Sequence, residues 1–165
     1  MKPLPRPDEI HLQAAIGWLE LGNHLEANEE LEKIQPALRA HPLVLRVHWD
    51  VYAKAQRWDR AQEISGALTE ALPDNAEAWL VHANSYYFAG DYQAAYDIAK
   101  AKVENFPNDW KLHYDLACYC CRVGKLGEAR GYLHRAMDLG DEEQVKLAVQ
   151  ADPDLEPLWN EIRAL

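Results

Sequence analysis

The sequence has little of what a sheet protein uses. Its 165 residues include one threonine, six isoleucines and eight valines, against 24 alanines and 21 leucines. β-Branched residues fit a pleated surface, whereas alanine and leucine lose little freedom in a helix, so the composition points to an all-α chain. Cysteine is scarce as well. Cys118, Cys120 and Cys121 fall within one helical turn, too close together and too odd in number for a disulfide framework, and they fit a reducing cytoplasm. No run of about 18 apolar residues exists, so no membrane-spanning helix is expected. Residues 1–7 hold three prolines and no apolar stretch of the kind a signal peptide needs.

Basic residues are outnumbered too, with 17 Lys and Arg facing 27 Asp and Glu for a net charge of −10. With no basic stripe to override it, that balance argues against nucleic acid and anionic membrane as partners. Disorder is excluded by 48% hydrophobic residues and six tryptophans. The acidity is uneven. Between Asp141 and Leu165 seven acids stand against Lys146 and Arg163, which places half of the net charge in the last 25 residues. We expect it to guard the end of the fold more than to select a partner.

What is present repeats itself. Ala27, Ala61, Ala95 and Ala129 are spaced 34 apart. Gly22, Gly90 and Gly124 share a second column, in which Gln56 fills the gap, and Ala15, Ala83 and Ala117 share a third that Trp49 interrupts. His24, Trp58, Tyr92 and Leu126 form a fourth column, and Pro73 and Pro107 a fifth. In the third unit Trp79, Ala83 and Tyr86, then Tyr92, Ala95 and Ala99, recur at helical spacing on either side of Gly90-Asp91. Glycine supplies a helix stop, aspartate the next N-cap and proline the end of the second helix. Each unit therefore reads as a helix hairpin, with alanines at the close contacts.

These residues at these offsets resemble the tetratricopeptide repeat, most fully in residues 76–109 through Trp79, Ala83, Tyr86, Gly90, Tyr92, Ala95 and Pro107. The resemblance covers about residues 8–143 and implies a right-handed all-α superhelix of about four hairpins. The implied organisation is a Pro-rich arm (1–7), repeats at 8–41, 42–75, 76–109 and 110–143, and C-terminal capping helices (144–165). The ending Asp152-Pro-Asp-Leu-Glu-Pro-Leu-Trp159 is similar to terminal segments of bacterial tetratricopeptide proteins. Leu155, Leu158, Trp159 and Ile162 have the spacing to cover an exposed last hairpin.

In that family the first helix of each repeat lines a concave groove. By column, this face carries Glu9, Leu12, Ile16, Leu19 and Glu20, then Leu43, Arg46, Asp50, Ala53 and Lys54. It continues with Glu77, Leu80, Asn84, Tyr87 and Phe88, and with Lys111, Tyr114, Cys118, Cys121 and Arg122. Arg46, Asp50, Lys54, Leu80, Asn84, Tyr87, Phe88, Lys111, Tyr114 and Arg122 are the expected partner-binding residues. Tyr87, Phe88 and Tyr114 either form an aromatic platform beside Asn84 or pack on the adjacent repeat. The apolar first-repeat face (Leu12, Ile16, Leu19) calls for a cover: the arm, a second copy in a homodimer, or the partner. The carboxylate clamp for heat-shock chaperone tails is absent, because its columns hold Arg46, Asp50, Val81, Lys111 and Asp115.

No phosphate loop, zinc-protease or nucleophile-elbow motif occurs, and neither a cofactor nor a metal is expected. His48 and His82, one repeat apart, read as structural histidines. Cys118 and Cys121 lack the second ligand pair that zinc needs. The expected function is a cytoplasmic, non-catalytic scaffold that binds a protein or peptide in its groove. The alternatives are a secretion-type tetratricopeptide chaperone and, further off, a thiol or metal protein built on the cysteine cluster.

Overall fold

The structure, a computed structural model, describes residues 3–162, and among these no strand occurs. The chain divides into two compact units, Met1–Ala78 and Trp79–Leu165. The first contains α1 (Arg6–Glu20), α2 (His24–Glu32), a 3₁₀ turn at Pro36–Leu38, α3 (Pro42–Lys54) and α4 (Trp58–Ala71). The division falls within α5 (Ala76–Phe88). The second unit continues with α6 (Tyr92–Lys102), α7 (Trp110–Arg122), α8 (Leu126–Leu139) and α9 (Glu142–Ala151), then a 3₁₀ segment (Pro153–Leu158) and α10 (Trp159–Ile162).

One backbone device ends the first helix of all four hairpins. Gly22, Gly90 and Gly124 have φ of 79°, 88° and 77°, and Gln56 takes the same left-handed conformation at 54°. The following amide reaches five residues back, from Asn23 to Trp18 O, Arg57 to Tyr52 O, Asp91 to Tyr86 O and Lys125 to Cys120 O, at 2.8–3.0 Å. This is the Schellman closure, and it requires a positive φ at the turn. A Cβ at any of the three glycines would meet nothing within 4 Å, so glycine serves the backbone angle and not a close approach. Asn23 and Asp91 then cap α2 and α6 by accepting from the amides of Glu26 and Ala94.

The alanine columns lie where the helices meet. Ala15, Ala27 and Ala61 in the first unit, and Ala83, Ala95, Ala117 and Ala129 in the second, are all fully buried. In the first unit α1 packs on α2 and α3 on α4, and Leu12, Leu31, Ile34, Val44 and Val51 belong to one buried cluster that joins α1, α2 and α3. The arm is shorter than expected. Helix α1 starts at Arg6, with Pro5 as N-cap and Pro7 inside its first turn, where a missing amide costs nothing. Leu4 is buried in the same cluster as Leu12, and Ile16 and Leu19 pack against that cluster. Asp8 is also buried, and its carboxylate accepts from the Gln35 backbone amide at 2.8 Å and side-chain amide at 3.1 Å. Met1 and Lys2 of the expected arm lie outside the described residues.

In the second unit α7 packs on α8, and the chain past α9 turns back onto α7. Asp141 caps α9 by accepting from the Gln144 amide at 2.9 Å, so this helix starts two residues before the expected boundary. Leu155 and Leu158 join the core and Trp159 packs against it, its indole N–H donating to Val149 O at 2.7 Å. The side chain of Ile162, the remaining residue of the expected covering set, lies outside the described residues.

Candidate functional site

The expected groove residues fall into two sets with different surroundings. In the first unit Leu43 is 46% exposed. Arg46, one turn on, is paired with Asp50, lies 3.6 Å from the Glu77 carboxylate and stacks over the Trp49 ring at 4.9 Å. Lys54 is exposed in the last turn of α3, and Ala53 is half-buried beside it. Leu43, Arg46, Leu68, Leu72 and Glu77 line an open cleft of about 180 Å³. Its lining is mostly apolar, with Arg46 and Glu77 as its charged pair.

The second set is densely bonded. Leu80 is only 7% exposed and belongs to the core, so it supports the face from behind. Asn84 links α5 to α7, donating through Nδ2 to Asp115 at 3.2 Å and accepting from the Tyr119 hydroxyl at 2.9 Å. Both ends of the amide are therefore engaged. The Tyr87 ring sits 5.2–5.3 Å from those of Phe88, Tyr92 and Tyr119. Phe88 keeps 54% of its surface exposed. Lys111 is exposed near the Trp110 ring, and the Arg122 guanidinium lies over Tyr92 at 4.1 Å.

This face is not bare. The segment after α9 lies on it, and two of its carboxylates take up the donors. Asp152 Oδ2 accepts from the Tyr114 hydroxyl at 3.0 Å and from Cys118 Sγ at 3.5 Å. Asp154 accepts from the Tyr87 hydroxyl and from an Arg122 nitrogen at 3.3 Å. Asp152 Oδ1 also accepts from the Asp154 amide at 3.0 Å, which sets the 3₁₀ turn that spaces the two acids. Sequence reasoning placed Tyr87, Tyr114, Cys118 and Arg122 on one surface but left out Asp152 and Asp154. The acid excess at the C-terminus, read against a face rich in hydroxyls and one arginine, was the signal for them.

Burial controls the titration here. It pushes Asp115 up to about 6, with the Asp152 charge adding to the effect and the Asn84 bond opposing it. Asp154 is raised by burial too, and Tyr114 well above the ordinary tyrosine range. The cysteines respond alike. Cys118 rises far above the usual thiol range, Cys120 to about 12 and Cys121 to about 11, chiefly through burial. All three stay protonated at neutral pH, and a protonated thiol is a poor nucleophile and a poor metal ligand. Among the described residues no group of three His, Cys, Asp or Glu is placed to hold a metal ion. Among the same residues no helix is long and apolar enough to cross a membrane. His48 is buried and stacks on Tyr52, His82 packs edge-on to Tyr86, and burial lowers the pKa of both.

No family model and no curated protein matches the chain. Solved structures do. MamA from Desulfovibrio magneticus RS-1, from residue 41 to its end, superposes with a TM-score of 0.71 at 20% identity, over 80% of this chain and 75% of that one. A crystal structure of MamA protein gives 0.74 at 14% identity, over 98% of this chain and 88% of the other. The APC/C hetero-tetramer Cut9–Hcn1 gives 0.70 at 18% identity, with 94% of this chain matched to 30% of that one. At such identities the likeness speaks for the fold, which is an all-α array of helix hairpins of the tetratricopeptide kind.

Proposed function

We propose that the chain is a non-catalytic, cytoplasmic scaffold that binds a partner protein through the faces of α3, α5 and α7. The observation that carries this reading is the seat of residues 152–158. A stretch of polypeptide outside the hairpins lies on α7 and is bonded side chain to side chain by Tyr87, Tyr114 and Arg122. A surface built of hydroxyls, aromatic rings and a guanidinium has the usual composition of a protein-recognition site. Asn84 and Leu80 hold it in shape. Exposed Phe88 and Lys111 extend it, and Arg46, Asp50 and Lys54 of α3 offer a second, charged contact area. The protonated thiols favour this reading over a thiol or metal protein.

The test compares the wild type with Tyr87→Ala plus Phe88→Ala by affinity purification and mass spectrometry. Circular dichroism is used to establish that the variant remains helical. Loss of the partners recovered by the wild type is the expected result. An unchanged partner set from a folded variant contradicts the assignment of the face.

A further inference from the structure

We infer that the α5–α7 face is a receptor for an acidic protein segment of the form Asp-x-Asp-Leu-x-x-Leu, and that residues 152–158 occupy it in cis until a partner's segment of that chemistry displaces them. The inference rests on the scaffold reading above and gives it a ligand. Four observations support it.

The polar match comes first. Asp152 and Asp154 stand two residues apart, and both carboxylates receive donors from side chains of the face: Tyr87, Tyr114, Cys118 and Arg122. Hydrogen bonds to an ionised carboxylate are stronger than neutral ones, so this pattern selects two acids at one spacing. Arg122 is the only cation among these donors, which makes the site a two-point reader more than a general anion attractor.

The apolar match comes second. Leu155 and Leu158 are 0% and 1% exposed in the core. A ligand without leucines at these positions would leave cavities and bind more weakly. A ligand that carries them exchanges like for like.

The third observation is where the segment is tethered. Val145 and Val149 of α9 are 1% and 0% exposed with the segment seated, and α9 packs on α8 as well as on the segment, so it keeps a contact of its own when the chain beyond Asp152 is released. Asp152 is at once the C-cap of α9 and the N-cap of the 3₁₀ turn, in an extended conformation with ψ 110°. Release there leaves α9 in place.

The fourth is a like charge nearby: the Asp152 carboxylate disfavours the ionised form of Asp115 on α7, so the segment brings its acids against a face that already holds one. A tethered segment competes at an effective concentration of roughly millimolar. The apparent affinity for a partner is then reduced by the fraction of molecules that are open.

The experiment uses the full chain and a fluorescein-labelled synthetic peptide copying residues 148–162, read by anisotropy. The variant Asp152→Ala with Asp154→Ala loses the polar half of the cis contacts and is expected to bind the peptide at least tenfold more tightly than the wild type. A peptide with both aspartates replaced by asparagine is expected to lose at least tenfold. Adding Tyr87→Phe and Tyr114→Phe to the open variant is expected to cost at least fivefold. Equal binding by wild type and open variant, or by the two peptides, overturns the inference.

Should the open variant lose its helical signal, hydrogen exchange on the wild type decides. Excess peptide is expected to speed exchange of the amides of Asp154, Leu155, Glu156 and Leu158, and unchanged rates overturn the inference. Wild type running at twice its monomer mass, with the same amides protected, shows exchange between two copies and overturns the cis assignment. If the peptide fails while the Tyr87 and Phe88 variant still loses partners, the ligand assignment falls and the scaffold reading stands.

Discussion

Two first helices that sequence reasoning treated alike, α3 and α7, present different surfaces. On α3 Leu43 is 46% exposed, and Arg46 sits between Asp50 and Glu77 at the edge of an open cleft. On α7 Tyr114, Cys118 and Arg122 are bonded to Asp152 and Asp154 of the same chain. One repeat column thus serves as free surface in one unit and as a seat for polypeptide in the other. The difference arises outside the repeats, in a segment whose acids and leucines complement the face.

The largest expected contrast is energetic. Leu155→Ala should destabilise the second unit by about 2–5 kcal/mol, because it empties a fully buried site. Leu43→Ala on α3 should change stability by less than about 0.5 kcal/mol. Chemical denaturation of both variants measures the pair, and equal losses would erase the distinction between the two faces.

The units should also differ in how pH acts on them. In the first, burial lowers the pKa of His48, and bonds from Lys33 and His11 lower that of Glu30. For both groups the unfolded chain binds protons more readily, so stability is lost as pH falls, below about 6.5 for His48. In the second, Asp115 moves the other way, from 3.8 to about 6. There the folded chain binds the proton more readily, so this contribution is lost as pH rises from about 4 to about 6. Raised Asp154 acts in the same direction, against the lowered pKa of His82. Asp115→Asn keeps an acceptor for Asn84 and should gain about 1–2 kcal/mol at pH 7 for a group still partly solvated, with little gain at pH 4. Denaturation midpoints at the two pH values check this.

These contrasts show what the sequence made legible. The hairpins were legible because their causes are local. A positive φ at one place per repeat calls for glycine, and close helix contacts call for alanine, so both appear as columns 34 apart. Gln56 is the informative exception, since the backbone keeps the left-handed turn even where the glycine is missing. The face of α5 and α7 was legible as a set of residues but not as an occupied surface. Helical periodicity cannot report that a segment some 30 residues further on returns to it. Leu80 illustrates the same limit, because its angle on α5 placed it on the groove side and packing buried it. The acid excess at the end of the chain reads as an electrostatic guard, whereas two of its acids are bonded to tyrosines and an arginine.

The smallest effect concerns the turn of the second hairpin. Gln56→Gly should relieve the left-handed strain and stabilise the first unit by roughly 1 kcal/mol. The corresponding Gly90→Ala should cost the second unit about 1–2 kcal/mol, although space for the added carbon is available. Thermal unfolding of each variant measures the pair.

The central claim is that Asp152 and Asp154 hold the C-terminal segment on the tyrosine and arginine face. A double-mutant cycle of Tyr114→Phe and Asp152→Ala, followed by chemical denaturation, tests it most directly. The account predicts a coupling of about 1–2 kcal/mol, as expected for a partly buried hydroxyl bonded to a carboxylate. A coupling within about 0.3 kcal/mol of zero, with both single variants folded, contradicts it.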